Sequence, residues 1–222
     1  MRPGALVVLG KQPLPGQVKT RMSPPLSLEQ AAGLYAALLD DVLETSVRLC
    51  AALGLTPTLA LHPPAACEPF AARVPPGLRV VAQRGVGLAE RMSCAVAEAA
   101  AAGARPVLLR GSDSPLLGEA VVGEALAALD TADVVLAPDV DGGYGLVGLR
   151  RPVPGLFEHA MSTGRVFEDT RANALERGLR VATVCAGFDL DTVADLSRLA
   201  RARGEHAERL CPRTLSFLDT HD

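Results

Sequence analysis

Four short stretches of this sequence concentrate side chains suited to a phosphorylated, metal-bound ligand. The first, Gly10-Lys-Gln-Pro-Leu-Pro-Gly-Gln-Val-Lys-Thr-Arg21, carries the cations Lys11, Lys19 and Arg21, and Gly10 and Gly16 leave room for close backbone approach. It holds both lysines of a chain whose other basic residues are arginine. Such a loop suits a di- or triphosphate, yet it has neither GxxxxGK[ST] nor GxGxxG spacing, so neither a P-loop nor a dinucleotide fingerprint is implied. A solvated loop with stray basic residues accounts for the composition equally well. The second stretch is Gly111-Ser-Asp-Ser-Pro115. Asp113 there could hold Mg²⁺ or Mn²⁺, hard cations that take oxygen ligands from one or two carboxylates and from substrate phosphates, although an Asp-Ser-Pro turn is more often only a turn. The third, Pro138-Asp-Val-Asp-Gly-Gly-Tyr144, offers Asp139, Asp141 and the Tyr144 ring on a turn loosened by Gly142 and Gly143, and a plain hairpin turn is its simpler reading. In the fourth, Gly187-Phe-Asp-Leu-Asp-Thr192, Asp189 and Asp191 share a side if the segment is extended; Asp191 or Thr192 also reads as a helix cap.

Other chemistries find little support. No Gly-x-Ser-x-Gly elbow occurs. The histidines His62, His159, His206 and His221 have no catalytic partner near them in sequence, and Cys94 reads as a helix packing residue. Five widely spaced cysteines without a CxxC pair point to a reducing cytoplasm rather than a disulfide framework. With a net charge of −3, the chain lacks the excess of cations that a nucleic-acid polymer would attract. No apolar run approaches the ~18 residues that span a bilayer, so neither membrane insertion nor export is expected.

The elements that must position these stretches alternate between apolar runs and helical patterns. Strands are predicted over Ala5–Leu9, Thr56–Leu61, Leu78–Ala82, Pro106–Arg110, Asp133–Ala137, Tyr144–Leu149 and Leu179–Cys185. Helices are predicted from Ser27 to near Gly54, over Leu88–Ala102, Gly118–Leu129, Arg165–Arg177 and Val193–Arg203, with a short one inside His62–Pro76. The tail after Arg209 is weakly patterned and is expected to wander. At 222 residues and 49% hydrophobic, the chain supports one domain over 1–222. The predicted fold class is α/β, a Rossmann-like three-layer sandwich with a mainly parallel sheet and helices on both faces. In such a sheet ligands collect at the carboxyl ends of the strands, where all four stretches fall.

Taken in order, Lys11-x-Pro-x-Pro-Gly-x-Val-Lys-Thr-Arg21, Gly87-Leu-Ala-Glu-Arg-Met92, Gly111-Ser-Asp-Ser-Pro115, Asp141-Gly-Gly-Tyr144, Met161-Ser-Thr163 and Asp189-Leu-Asp-Thr192 resemble the bacterial DUF2064 family of the nucleotide-diphospho-sugar transferase superfamily, with its glycosyltransferase A type fold. The resemblance implies that Gly10, Lys11, Gly16, Lys19, Arg21, Gly87 and Arg91 bind nucleotide phosphates, that Asp113 and Asp191 hold Mg²⁺ or Mn²⁺, and that Gly142, Gly143 and Tyr144 line an acceptor or sugar pocket. Where the family pattern has a second aromatic after Asp-Gly-Gly-Tyr and a tryptophan before Ser-Thr, this chain has Gly145 and Met161. The first expectation is metal-dependent transfer of a sugar from a nucleotide sugar to a small acceptor, with Asp113 and Asp141 as catalytic residues and Asp141 or Asp139 accepting the acceptor's proton. The alternative is nucleotidyl transfer from a nucleoside triphosphate to a phosphorylated small molecule, since the first loop also resembles that of 2-phospho-lactate guanylyltransferases. Tyr144, where such enzymes tend to carry Gly-Gly-Thr-Asn, tips the reading toward sugar transfer. A non-catalytic nucleotide-binding homologue is a third possibility.

Overall fold

A computed structural model of the chain describes residues 3–185 and 187–221, the side chain of His221 excepted. Seven strands form one sheet in the order β3-β2-β1-β4-β6-β5-β7. They are β1 (Gly4–Lys11), β2 (Leu55–His62), β3 (Arg79–Ala82), β4 (Val107–Gly111), β5 (Val134–Pro138), β6 (Tyr144–Leu149) and β7 (Val181–Thr183). All run parallel except β6, which lies antiparallel between β4 and β5. The sheet is mixed, as expected of a parallel core that a single hairpin interrupts.

Alternation along the strands sorts the core onto two faces. Leu6, Leu108, Val135 and Leu146 pack with Leu49 and Cys50 of α1 (Leu28–Leu53) and with Val122 and Ala125 of α4 (Glu119–Ala128). Ala5, Val7, Leu109, Leu136 and Val147 pack on the other face with Met92 and Val96 of α3 (Leu88–Ala101) and Ala174 of α5 (Val166–Glu176). Between β2 and β3 lies the short α2 (Cys67–Ala71). Local chemistry sets the ends of α1 as read from sequence. Ser27 and Gln30 form a capping box, and Gly54 closes the helix at φ 68°.

The C-terminal segment departs from expectation. It does not wander: after α6 (Val193–Arg201) come α7 (Glu205–Leu210) and α8 (Pro212–His221), and α8 lies along α1. The fastening is polar. Asp41 of α1, 1% exposed, accepts hydrogen bonds from the Thr214 backbone N and Oγ1, both at 2.8 Å, and from the backbone and guanidinium of Arg213. Arg213 also pairs with Glu44 at 2.7 Å. A carboxylate from one helix thus satisfies the first-turn donors of another, a tertiary cap that no local pattern in the tail announces.

Replacing Asp41 with alanine leaves the Thr214 hydroxyl and two backbone donors without their acceptor, while the Arg213 guanidinium keeps Glu44. Urea unfolding of Asp41→Ala is expected to show a loss of about 3 kcal/mol, and an unchanged midpoint would remove the cap from the account.

Candidate active site

The loop after β1 ends in a single turn of 3-10 helix at Thr20–Met22, and Lys19 at its head takes φ 48° and ψ 33°. Few non-glycine residues adopt that left-handed conformation. It accompanies a buried ammonium. The Lys19 side chain is 4% exposed and its Nζ bridges two carboxylates, Asp113 Oδ1 and, at 2.8 Å, Asp191 Oδ1. Arg21 donates to the other Asp191 oxygen, also at 2.8 Å. Burial, the largest influence on Lys19, pulls its pKa down, but attraction to Asp113 and Asp191 outweighs it and holds the group above the ordinary lysine value. For Asp191, burial pulls upward and the pull of Lys19 and Arg21 overcomes it, so the carboxyl titrates below its usual range.

Each partner is delivered by a strand end. Asp113 follows β4, and its carbonyl accepts from Leu190 N at 2.8 Å, which ties the loop after β4 to the segment after β7. Ser112 Oγ hydrogen-bonds Tyr35 Oη at 2.8 Å, and the same oxygen accepts from Lys11 N, so α1 pins both loops. Of the two residues expected to cap the next helix, Asp191 and Thr192, it is Thr192 that does so. Asp195 accepts from Thr192 N and Oγ1 and from Asp191 N, and this leaves the Asp191 carboxylate for Lys19 and Arg21.

Two more acids lie alongside. Ser114 Oγ donates to Asp189 Oδ1 at 2.5 Å. Burial, then repulsion from Asp113 and Asp139, raises the Asp189 pKa to about 8. Burial likewise raises Asp139, whose Oδ2 is enclosed without another donor. A proton on Asp189 supplies the hydrogen bond this pair needs. Asp189 and Asp191 therefore both reach the site but do different things: one is proton-bearing and paired with an acid, the other ionised and paired with cations.

The remaining candidates divide. Of the three cations of the first loop, Lys19 and Arg21 meet at Asp191 and Lys11 stands apart from them. Lys11 is exposed and lines a separate cavity of about 220 Å³ with Gln12, Gln17, His62 and Arg91. Arg91 also borders a larger cavity of about 340 Å³ between β1–β3 and α3. Gly10 is fitted to the core, since a Cβ there would lie 3.0 Å from Leu59, and Gly87 takes an ordinary extended conformation with open space around it. Gly16 has φ 75° at a turn. Asp141 is exposed and folds back to accept from Gly143 N at 2.9 Å. Gly142, at φ 87°, abuts the Gly164 backbone, and its carbonyl accepts from Phe167 N, so it docks the loop onto the start of α5. Tyr144 is less open than its place beside two glycines suggests: its ring packs against the core beside α5, its hydroxyl accepts from Thr170, and burial raises its pKa to about 12. The neighbouring Gly145 also answers to the fold, because a Cβ there would sit 2.8 Å from Ser114 Oγ.

The oxygen donors of Asp113 and Asp191, already gathered around one cation, suit a hard divalent ion that takes its remaining ligands from phosphates and water. Among the described residues no three His, Cys, Asp or Glu side chains are arranged to hold a metal without such help.

The model of DUF2064, described as an uncharacterized protein conserved in bacteria, matches residues 45–163. The chain belongs to the DUF2064 family. This DUF2064 protein is 32% identical over 186 residues to a phosphoenolpyruvate guanylyltransferase of Sphaerobacter thermophilus, covering 82% of this chain and 86% of that one. To a 2-phospho-L-lactate guanylyltransferase of Methanothermobacter thermautotrophicus it is 30% identical over 197 residues, 85% and 82% of the two chains. A Desulfovibrio desulfuricans G20 structure assigned to the nucleotide-diphospho-sugar transferases superimposes with a TM-score of 0.88 at 30% identity, over 100% of this chain and 96% of that one.

Several residues that build the site carry little sequence signal. Tyr35 sits within an otherwise regular helix, and Ser112 and Ser114 look like turn formers. Gln83 donates from Nε2 to the carbonyls of Gly10 at 2.9 Å and Ala60 at 2.8 Å, closing the strand ends beneath the first loop.

The raised Asp189 pKa has a sign that can be checked. The folded state keeps a proton that the unfolded chain releases above about pH 4, so stability falls as pH rises from there toward 8, by up to about 1.4 kcal/mol per pH unit. In chelator-treated protein, Asp189→Asn is expected to flatten this decline in denaturant midpoints taken across the window; an unaltered slope would mean that another group carries it.

Proposed function

We propose that this protein is a nucleotidyltransferase that moves a nucleoside monophosphate, from GTP in the first instance, onto the phosphate of a small phosphorylated carboxylic acid and releases pyrophosphate. The observation that carries this reading is Lys19 held between Asp113 and Asp191 at the strand ends, in a chain about one-third identical to a phosphoenolpyruvate guanylyltransferase. Tyr144 alone favours sugar transfer on sequence, and two guanylyltransferase relatives, each aligned over more than four-fifths of this chain, outweigh that single position.

The chemistry asks for little covalent participation by protein. An acceptor phosphate oxygen attacks the α-phosphorus, the bond to the bridging oxygen breaks, and pyrophosphate leaves with the electron pair. A phosphate monoester is already ionised at neutral pH, so Asp141 need not act as a base. What the site must supply is counter-charge and alignment. Mg²⁺ or Mn²⁺ held by Asp113 and Asp191 would neutralise the phosphates as charge moves to the leaving group. Lys19, exchanged from the carboxylates to the phosphates, keeps a cation at the same place, and Arg21 holds Asp191 ionised. Lys11 and Arg91, which line the neighbouring cavity, extend the positive surface along the triphosphate.

A second reading, glycosyl transfer from a nucleotide sugar, is favoured by the assignment of the Desulfovibrio relative. Incubation with Mn²⁺, nucleoside triphosphates or nucleotide sugars, and small phosphorylated acids separates the two. Pyrophosphate released from GTP in step with acceptor consumption is expected. Nucleoside diphosphate from a sugar donor would replace the proposal with the second reading, and binding without product would leave a nucleotide-binding protein. Asp113→Ala is expected to lower turnover by at least about a hundredfold with the melting temperature retained, because the carboxylate is partly exposed.

A further inference from the structure

Arg110 is a fully buried arginine on a central strand, in a row otherwise built of leucine and valine. Its neighbours in the register are Val8 of β1 and Leu146 of β6, and it is 1% exposed. Among the described residues its guanidinium makes two hydrogen bonds, Nη2 to the Ser114 carbonyl at 3.0 Å and Nη1 to Ser46 Oγ of α1 at 3.3 Å, and its Nε is enclosed with no partner. Among the described residues no carboxylate pairs with it directly. Burial lowers its pKa to about 10, which leaves it charged at neutral pH. For stability alone this arrangement is poor, since a well-packed apolar residue in place of a buried charge is often neutral or better.

The arginine's position accounts for its presence. Ser114 accepts from Arg110 through its carbonyl and donates through its hydroxyl to Asp189, so one residue joins the buried cation to the acid cluster. One residue earlier, the Asp113 carbonyl receives Leu190 N. The loop carrying Asp113 and the segment carrying Asp189 and Asp191 are thus fastened to each other, and the pair is fastened from below to Arg110, which Ser46 steadies against α1.

We infer that Arg110 is a positioning residue: from beneath the sheet end it fixes the Gly111–Pro115 loop, and through Ser114 the 189–191 segment, in the spacing that lets Asp113 and Asp191 share one cation. The functional consequence rests on the reading of that acid pair as the metal–nucleotide site, while the positioning itself does not.

Hydrogen exchange on the ligand-free protein tests the positioning. In Arg110→Met the Leu190 amide and the peptide over residues 111–116 are expected to exchange at least about tenfold faster, with β1 and α3 unchanged. Mn²⁺ titration followed by electron paramagnetic resonance reads the consequence, an affinity about tenfold or more weaker with the melting temperature kept. Arg110→Lys, a cation able to reach only one of the two acceptors, falls between wild type and Met. An arginine serving only the core would change the melting temperature and leave Leu190 exchange and Mn²⁺ affinity alone, and that result overturns the inference. If Arg110→Met does not fold, Arg110→Lys and Ser114→Ala decide: wild-type exchange at Leu190 in both refutes it, and faster exchange in both supports it. A wild-type protein that binds no Mn²⁺ overturns the metal reading instead, with the exchange data still judging Arg110.

Discussion

One ammonium held between two carboxylates is the interaction on which this molecule's site depends. Lys19 lies in the loop after the first strand, Asp113 after the fourth and Asp191 beyond the seventh, and the Lys19–Asp191 pair spans 172 positions in the chain. Like charges at Asp113, Asp139, Asp189 and Asp191 would drive these loops apart if nothing intervened. The cation at their centre, and the proton on Asp189, make the cluster tolerable. Under the proposed function the same balance would make the site exchangeable, because a divalent ion and a phosphate chain would bring charge of the signs needed to take over from Lys19 on one side and from the carboxylates on the other.

A layered support lies under that exchange. Tyr35 ties the first loop to Ser112, Leu190 ties the last segment to Asp113, and Gln83 closes the strand carbonyls at the foot of the loop. These contacts use backbone groups and neutral side chains, which do not compete for the ligand's charge. Rigid strand ends and pinned loops hold oxygen donors at fixed separations, which is what a hard cation demands.

Much of this was legible in the sequence because the signals were local. Apolar runs of strand length, the Ser27 cap and the Gly54 stop placed the elements of the first two-thirds, and the convergence of strand-end loops correctly brought Lys19, Arg21, Asp113 and Asp191 together. Long-range partnerships were not legible. Nothing near Pro212 indicates that Asp41 caps it, so the tail looked unstructured. Lys11 and Lys19 are chemically alike and eight positions apart, yet the left-handed turn at Lys19 sends one ammonium inward and leaves the other at the neighbouring cavity. The exposure of Tyr144 was hard to read for a related reason: a turn next to glycines suggests an open ring, whereas the strand it opens has its other residues buried and brings the ring against the core.

The wide chain separation of the acids also bears on how the protein comes into being. During synthesis the first strand, the basic loop and Asp113 leave the ribosome well before residue 191, so for much of translation the nascent chain has its cationic loop and only half of its carboxylate pair. Under the proposed function, nucleotide or metal could not act as a folding template through that pair until residues 189–191 have been made, and the earlier sheet must assemble on its apolar strands alone.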